Sequence, residues 1–474
     1  MSLGTLKREP DMSEVQKTVS PIDNSVYVER PYATKESIRQ TLERASQAQQ
    51  TWSQTPLSER AALCSRAIDA FVANSDAIAE ELCWQMGRPI RYAAGEVAGV
   101  EERARFMIEA AEEALKPVQV AEKPGFSRYI KREPLGVAFI IAPWNYPYLT
   151  AVNALVPAIL AGNTVVLKHS AQTPLCAERF AEAFTKAGLP EGVFQYLHLT
   201  HDDTEQLIQS PEINYVAFTG SVPGGAMVER AAAGRFIGVG LELGGKDPAY
   251  VRADADLDHA VETCIDGAFF NSGQSCCGIE RIYVDESIHD AFLEKAITLV
   301  KQYKLGRSDD PETTLGPLVR SSAADFVRNQ VTEAIEQGAI AHIDPSDFPQ
   351  NKPDTAYLAP QLLSNVNHSM RVMTEESFGP VVGIQKVSSD EEAIKLMNDS
   401  EFGLTASVFT RDIDAAVSLG EQLETGTFFV NRCDYLDPAL AWTGVKNSGR
   451  GCTLSALGFE SLTRPKSFHI RTEL

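Results

Sequence analysis

From residue 142 to 248 short apolar runs alternate with helical stretches, and this alternation restricts the fold more than any other feature of the chain. TVVLK at 164–168 reads as a strand. Residues 174–187 read as an amphipathic helix, with Pro174 in its first turn and Gly188 as its stop. VFQYLHL, YVAFTG and FIGVGLEL are further short apolar strands. Strands interleaved with helices build a parallel sheet covered on both faces, and such sheets bind ligands at the carboxyl ends of their strands. The pattern resumes over 249–445, with strands near RIYVD, VVGIQKV, TASVFT and GTFFVN.

The flanking segments differ in character. Residues 34–115 read as helices: Thr34 can cap a stretch reaching Trp52, Pro56 sits at a helix start, and Gly87 can end a helix begun near Ser75. The charged, alanine-rich stretch 96–115 carries no sign of chemistry and reads as scaffold and subunit contact. SRYIKRE and VAFIIAP, either side of Pro134-Leu135-Gly136, read as two strands round a turn. LTRPKSFHIRT, near the C-terminus, reads as a strand.

A chain of 474 residues is too long for one ordinary domain and suggests two or three, with 44% hydrophobic residues to fill their cores. Forty-three basic against 64 acidic residues give a net charge of −21, which argues against nucleic acid and anionic membranes as partners. No run of 18 apolar residues and no N-terminal apolar core of a signal peptide is visible. The eight cysteines form no CxxC pair and no Cys/His spacing suited to zinc. Reduced thiols, no metal and a cytoplasmic location are therefore expected.

Three stretches carry candidate chemistry. FFNSGQSCCGIER at 269–281 places Cys276 and Cys277 after a small, polar, glycine-flanked turn. Such a thiol can meet a ligand, or the pair can simply be core, since free cysteine is among the most buried residue types. LELGGKDP at 241–248 sets Glu242 in an apolar strand running into Gly244-Gly245. A partly buried Glu can serve as a general base or as half of a structural ion pair. In APWNYPY at 142–148, Asn145 is bracketed by Pro143 and Pro147, so its amide is aimed. It can stabilise an oxyanion, or bond within its own turn.

Together the three stretches resemble the aldehyde dehydrogenase superfamily, from about Ser20 to the C-terminus. LELGGK (241–246) matches its glutamate signature and Asn271–Cys276 its N-x-G-Q-x-C signature, with the two reactive residues 276 − 242 = 34 positions apart. The resemblance implies an α/β chain with two Rossmann-like αβα domains and a small oligomerisation hairpin and tail. Residues 1–115 and 135–245 would bind NAD(P), 246–445 would carry the catalytic cysteine, and 116–134 with 446–474 would join subunits into a homodimer or homotetramer. Cys276 is the implied nucleophile, as thiolate, because it stands two after Gln274; Glu242 is the implied base and Asn145 the oxyanion donor.

The remaining implied roles follow the same motifs. No GxGxxG opens a strand–helix unit; the family instead uses FTGS before a helix, here Phe218-Thr219-Gly220-Ser221-Val222-Pro223-Gly224-Gly225, whose glycines and helix N-terminus suit a phosphate. Coenzyme contacts fall to Trp144, Lys168, Gly220, Ser221, Gly225 and Leu243, and, within Glu375–Pro380 (EExFGP), to Glu376 and Phe378. Tyr146 and Trp442 are implied walls of an aldehyde pocket, and Arg432 keeps open an anionic substrate. The position that often carries a ribose-binding Glu is Ala171, which leaves NAD and NADP both open. The Lys and Glu of the usual proton relay are replaced by Ala154 and Thr453. A coenzyme A-acylating enzyme generally lacks the base, so Glu242 speaks against that alternative. A catalytically silent structural protein tends to lose groups that are intact here.

Overall fold

The computed structural model describes residues 15–433 and 435–473. Two parallel sheets organise them. The first has six strands in the order Gly449–Arg450, Gly238–Glu242, Ile213–Thr219, Val137–Ala142, Thr164–His169, Phe194–Tyr196, parallel except for the first. The second has seven, in the order Ile340–Ala341, Gln361–Ser364, Val381–Val387, Ile279–Asp285, Asp247–Val251, Thr405–Phe409, Thr427–Val430, again parallel except for the first. All six residues of Val137–Ala142 are buried, as a strand covered on both faces requires.

Helices cover both faces of each sheet. On the first, Leu57–Val72, Ile90–Ala114, Pro147–Ala161 and Pro174–Ala187 pack into one core, and Lys35–Trp52, His201–Gln209 and Val222–Ala232 enclose the opposite one. On the second, Leu257–Phe269 and His289–Val300 lie on one face, and Ser321–Glu336, Asp390–Asn398 and Ile413–Gly420 on the other. The local punctuation acts as the sequence suggests. Thr34 Oγ1 accepts from Ser37 N at 3.1 Å, and Gly87 and Gly188 end their helices in the left-handed conformation.

Pairing round the Pro134 turn differs from the expectation. Phe126–Pro134 and Val137–Ala142 do flank that turn, but they do not pair with each other. The polar strand Phe126–Pro134 lies in a three-stranded antiparallel sheet between Thr463–Arg471 and Val118–Gln119, whereas the apolar one is central to the six-stranded sheet. Burial decides this: six consecutive apolar residues need cover on both faces, and a two-stranded ribbon offers none. The C-terminal strand pairs along its whole length with Phe126–Pro134 of its own chain. No helix among the described residues is long and apolar enough to cross a membrane.

Candidate active site

The carboxyl ends of the first sheet's strands deliver Trp144 and Asn145, Lys168, Thr219 and Glu242 to one side of the sheet. The second sheet delivers Cys276, through a turn that follows the helix Leu257–Phe269. Asn271, Ser272 and Gly273 are all left-handed there, with φ of 53°, 57° and 72°. Side chains hold the strained turn. Gln274 Nε2 donates to Asn271 O (3.1 Å), Gln274 Oε1 accepts from Val319 N (2.7 Å), and Ser272 Oγ donates to Gly316 O (2.9 Å). Gly245 lets the glutamate-bearing segment meet this turn: a Cβ there would stand 2.2 Å from Cys276 O.

Cys276 and Glu242 line the same cavity of about 550 Å³ with Tyr146 and Trp442. Asn145 is buried beside it, and its amide Nδ2 donates to Gln274 O, two residues before Cys276, at 3.2 Å. The structure thus brings all three catalytic candidates and both pocket candidates together. Glu242 is held at both oxygens, by Thr453 Oγ1 on Oε1 (2.6 Å) and Thr219 Oγ1 on Oε2 (3.0 Å). Burial nevertheless pushes its carboxyl above the usual carboxylate range. The adjacent Cys277 thiol and burial push the Cys276 thiol well up. Among the described residues no cation forms a hydrogen bond to Cys276 to offset that penalty.

The long helix Ile90–Ala114, read above as scaffold, supplies one wall of the cavity through Tyr92, Gly95, Gly99 and Arg103. Arg88, just before it, forms a buried ion pair with Glu96, donates to Asn145 O at 2.6 Å and sits 4.5 Å over the Tyr146 ring. Glu96 Oε1 accepts from Tyr148 N (2.8 Å) at the start of the helix Pro147–Ala161. One buried pair therefore sets the position of the asparagine loop. A signal existed in the sequence: Glu96 and Arg103 lie seven residues apart, on a face shared with Ala93, Val97, Val100 and Ala104, where charge needs a reason. The tail also takes part, since Gly449 pairs with Glu242 and Thr453 bonds it. Trp442 and Thr453 bond each other's backbones at 2.8 and 2.9 Å, tying Trp442 to the residue that holds Glu242.

The coenzyme candidates fall into two groups. Lys168 is buried, burial lowers its ammonium to about 8, and no acceptor for it stands among the described residues. An orphaned donor at a strand's carboxyl end fits a dinucleotide's hydroxyls or phosphates. Ser221 caps the helix Val222–Ala232, Gly220 lies under the Phe218 ring, and Gly225 packs so closely on Leu243 that a Cβ would stand 2.7 Å from it. Across the cleft, Glu376 Oε1 accepts from Gly245 N at 2.9 Å, and burial raises its carboxyl to about 7. Phe378 meets Trp144 edge-on at 5.6 Å. Lys246 is committed to a buried pair with Glu280, which also accepts from Ser377 N and Phe378 N at 2.7 and 2.9 Å. No two cysteines are joined in a disulfide, and no cluster of metal-ligating side chains stands among the described residues.

The aldehyde dehydrogenase family model matches residues 8–468. The chain belongs to the aldehyde dehydrogenase family. It is 34% identical to a succinate-semialdehyde dehydrogenase [NADP(+)] of Deinococcus radiodurans over 95% of this chain and 93% of that one. It is 35% identical to a succinate semialdehyde dehydrogenase [NAD(P)+] of Escherichia coli over 90% and 92%. The succinic semialdehyde dehydrogenase of Streptococcus pyogenes, solved with NADP+, superimposes with a TM-score of 0.92 at 30% identity, covering 96% of this chain and all of that one. This aldehyde dehydrogenase is thus an oxidoreductase that oxidises an aldehyde with NAD or NADP.

Proposed function

We propose that Cys276, Glu242 and Asn145 carry the reaction. The Cys276 sulfur loses its proton and attacks the aldehyde carbon, giving a thiohemiacetal oxyanion. The Asn145 amide and the Cys276 backbone N–H donate to that oxygen, where one such donor is worth about 10²–10³ in rate. NAD or NADP, when bound, supplies the hydride acceptor, and the acyl group is left on Cys276 as a thioester. Glu242 then takes a proton from a water that adds to the thioester carbonyl, and collapse releases the carboxylic acid and the Cys276 sulfur. Thr453 and Thr219 hold Glu242 through this step. Trp144, Lys168, Gly220, Ser221, Gly225 and Leu243 form the proposed coenzyme cleft on one side, with Glu376 and Phe378 on the other.

The observation that supports this reading best is the presence of Cys276 and a hydroxyl-held, burial-raised Glu242 in one cavity. A base fixed there can activate the water that thioester hydrolysis needs. The relatives' substrate, succinate semialdehyde, is a candidate substrate. With Ala171 in place of a ribose-binding carboxylate, the enzyme accepts NADP as well as NAD. The chain works as a cytoplasmic homodimer or homotetramer, with the exposed strand Thr463–Arg471 at the edge that a partner would extend. Absorbance of reduced coenzyme, with an aldehyde panel and each coenzyme, tests the reading. Cys276→Ser is expected to abolish turnover while Cys277→Ala keeps most of it; the opposite pattern overturns it.

A further inference from the structure

Two arginines line the catalytic cavity, and their surroundings differ. Arg88 is fully engaged by Glu96, Asn271, the Asn145 carbonyl and the Tyr146 ring. Arg103 is 8% exposed and has no carboxylate within ion-pair distance among the described residues. Only its Nη1 is bonded, to Leu149 O at 2.9 Å and Asn153 Oδ1 at 3.1 Å. A guanidinium has five N–H donors. The three on Nε and Nη2 have no acceptor among the described residues, although the side chain borders an open cavity. Burial lowers its proton affinity, and the negative groups that oppose this, Glu242 foremost, act from beyond ion-pair distance.

We infer that Arg103 is the specificity-determining residue of the aldehyde site, and that it takes a carboxylate borne by the substrate. The inference rests on Cys276 being the nucleophile of the same cavity. A planar fork anchored at one nitrogen presents its remaining edge to two carboxylate oxygens at once, which an ammonium or a hydroxyl cannot do. The lining combines polar Thr150 and Asn153, the latter bonded to Arg103, with apolar surface from Leu149, Tyr146, Phe270 and Trp442. A ligand with an uncharged chain and one anionic end matches a largely apolar lining that holds one uncommitted guanidinium edge. Glu102 borders the same space, but it is exposed and accepts from the Tyr435 hydroxyl, so solvent screens its charge from an anion at Arg103.

The test compares kcat/KM for succinic semialdehyde and for butanal, which have the same carbon count, in the full-length enzyme and in Arg103→Met and Arg103→Lys. The wild type is expected to prefer the semialdehyde, and Arg103→Met to lower the selectivity ratio at least 30-fold, chiefly through KM, with partial recovery in Arg103→Lys. A wild-type preference for butanal, or a ratio unmoved by Arg103→Met because both substrates suffer equally, overturns the inference. Failure of the Cys276 reading looks different: Cys276→Ser would then still turn over both aldehydes. Should Arg103→Met not fold, the wild type decides alone. Succinate is expected to raise its thermal midpoint and to compete with the semialdehyde, while butyramide does neither; equal effects of the two compounds overturn the inference.

Discussion

Replacing Thr453 by Val removes one hydroxyl and little else. The side chains share a shape, and the backbone bonds between Thr453 and Trp442 survive. What is lost is the 2.6 Å hydrogen bond to Glu242 Oε1, which lowers a carboxyl that burial has raised. A hydrogen bond to a charged group contributes roughly 1.5–3 kcal/mol. One pKa unit corresponds to about 1.4 kcal/mol, so Glu242 should move up by about one to two units. Its ionised fraction then reaches the plateau at a higher pH, and the acid limb of thioester hydrolysis moves alkaline by the same amount. Below the new limb the rate falls by about ten-fold or more, while the alkaline plateau is kept. The assay is the steady-state rate after the first turnover, followed from pH 5.5 to 9.5 in wild type, Thr453→Val and Thr453→Ser. Serine should restore the wild-type limb. An acid limb that stays put in Thr453→Val refutes the assignment of Glu242 as the base whose titration limits hydrolysis.

Three further outcomes follow from the same geometry. Arg88→Met leaves Glu96 charged and buried, at a cost of about 3–5 kcal/mol, whereas the double variant with Glu96→Met should lose less in chemical denaturation. Glu376 is raised by burial to about 7, so its contribution to stability is complete below the unfolded value near 4.5 and is lost as pH rises through 7; Glu376→Gln should flatten the thermal midpoint of the coenzyme-free protein across that window. Gly245→Ala puts a Cβ at 2.2 Å from Cys276 O, and a turnover loss of at least 100-fold is expected, with a shifted near-ultraviolet dichroism band reporting the displaced cysteine turn.

The features legible in the sequence are those carried by contiguous residues. Alternating strands and helices, the caps at Thr34, Gly87 and Gly188, and the motifs around Asn145, Glu242 and Cys276 are each read within a window of ten or so positions. What needed the structure is what depends on distant partners. Nothing local tells the strand Val137–Ala142 to lie beside Thr164–His169 and Ile213–Thr219 rather than fold back on Phe126–Pro134. The roles of Ile90–Ala114 in the cavity wall and of Arg88 behind the asparagine loop arise only when that helix packs against Pro147–Ala161. Thr453 was visible as a departure from a relay, but its direct bond to Glu242 depends on the short strand Gly449–Arg450 returning to the first sheet. The upward push on the Cys276 thiol likewise comes from its neighbour and from burial, not from the motif.

In the proposed mechanism one sulfur holds the acyl group and one carboxylate releases it. Intact-protein and peptide mass spectrometry of Glu242→Gln, mixed with aldehyde and oxidised coenzyme, tests it most directly. One equivalent of reduced coenzyme and one acyl adduct per chain are expected, mapped to Cys276 and persisting where the wild type shows none. An adduct on Cys277, or a Glu242→Gln enzyme that turns over without accumulating any adduct, would contradict it.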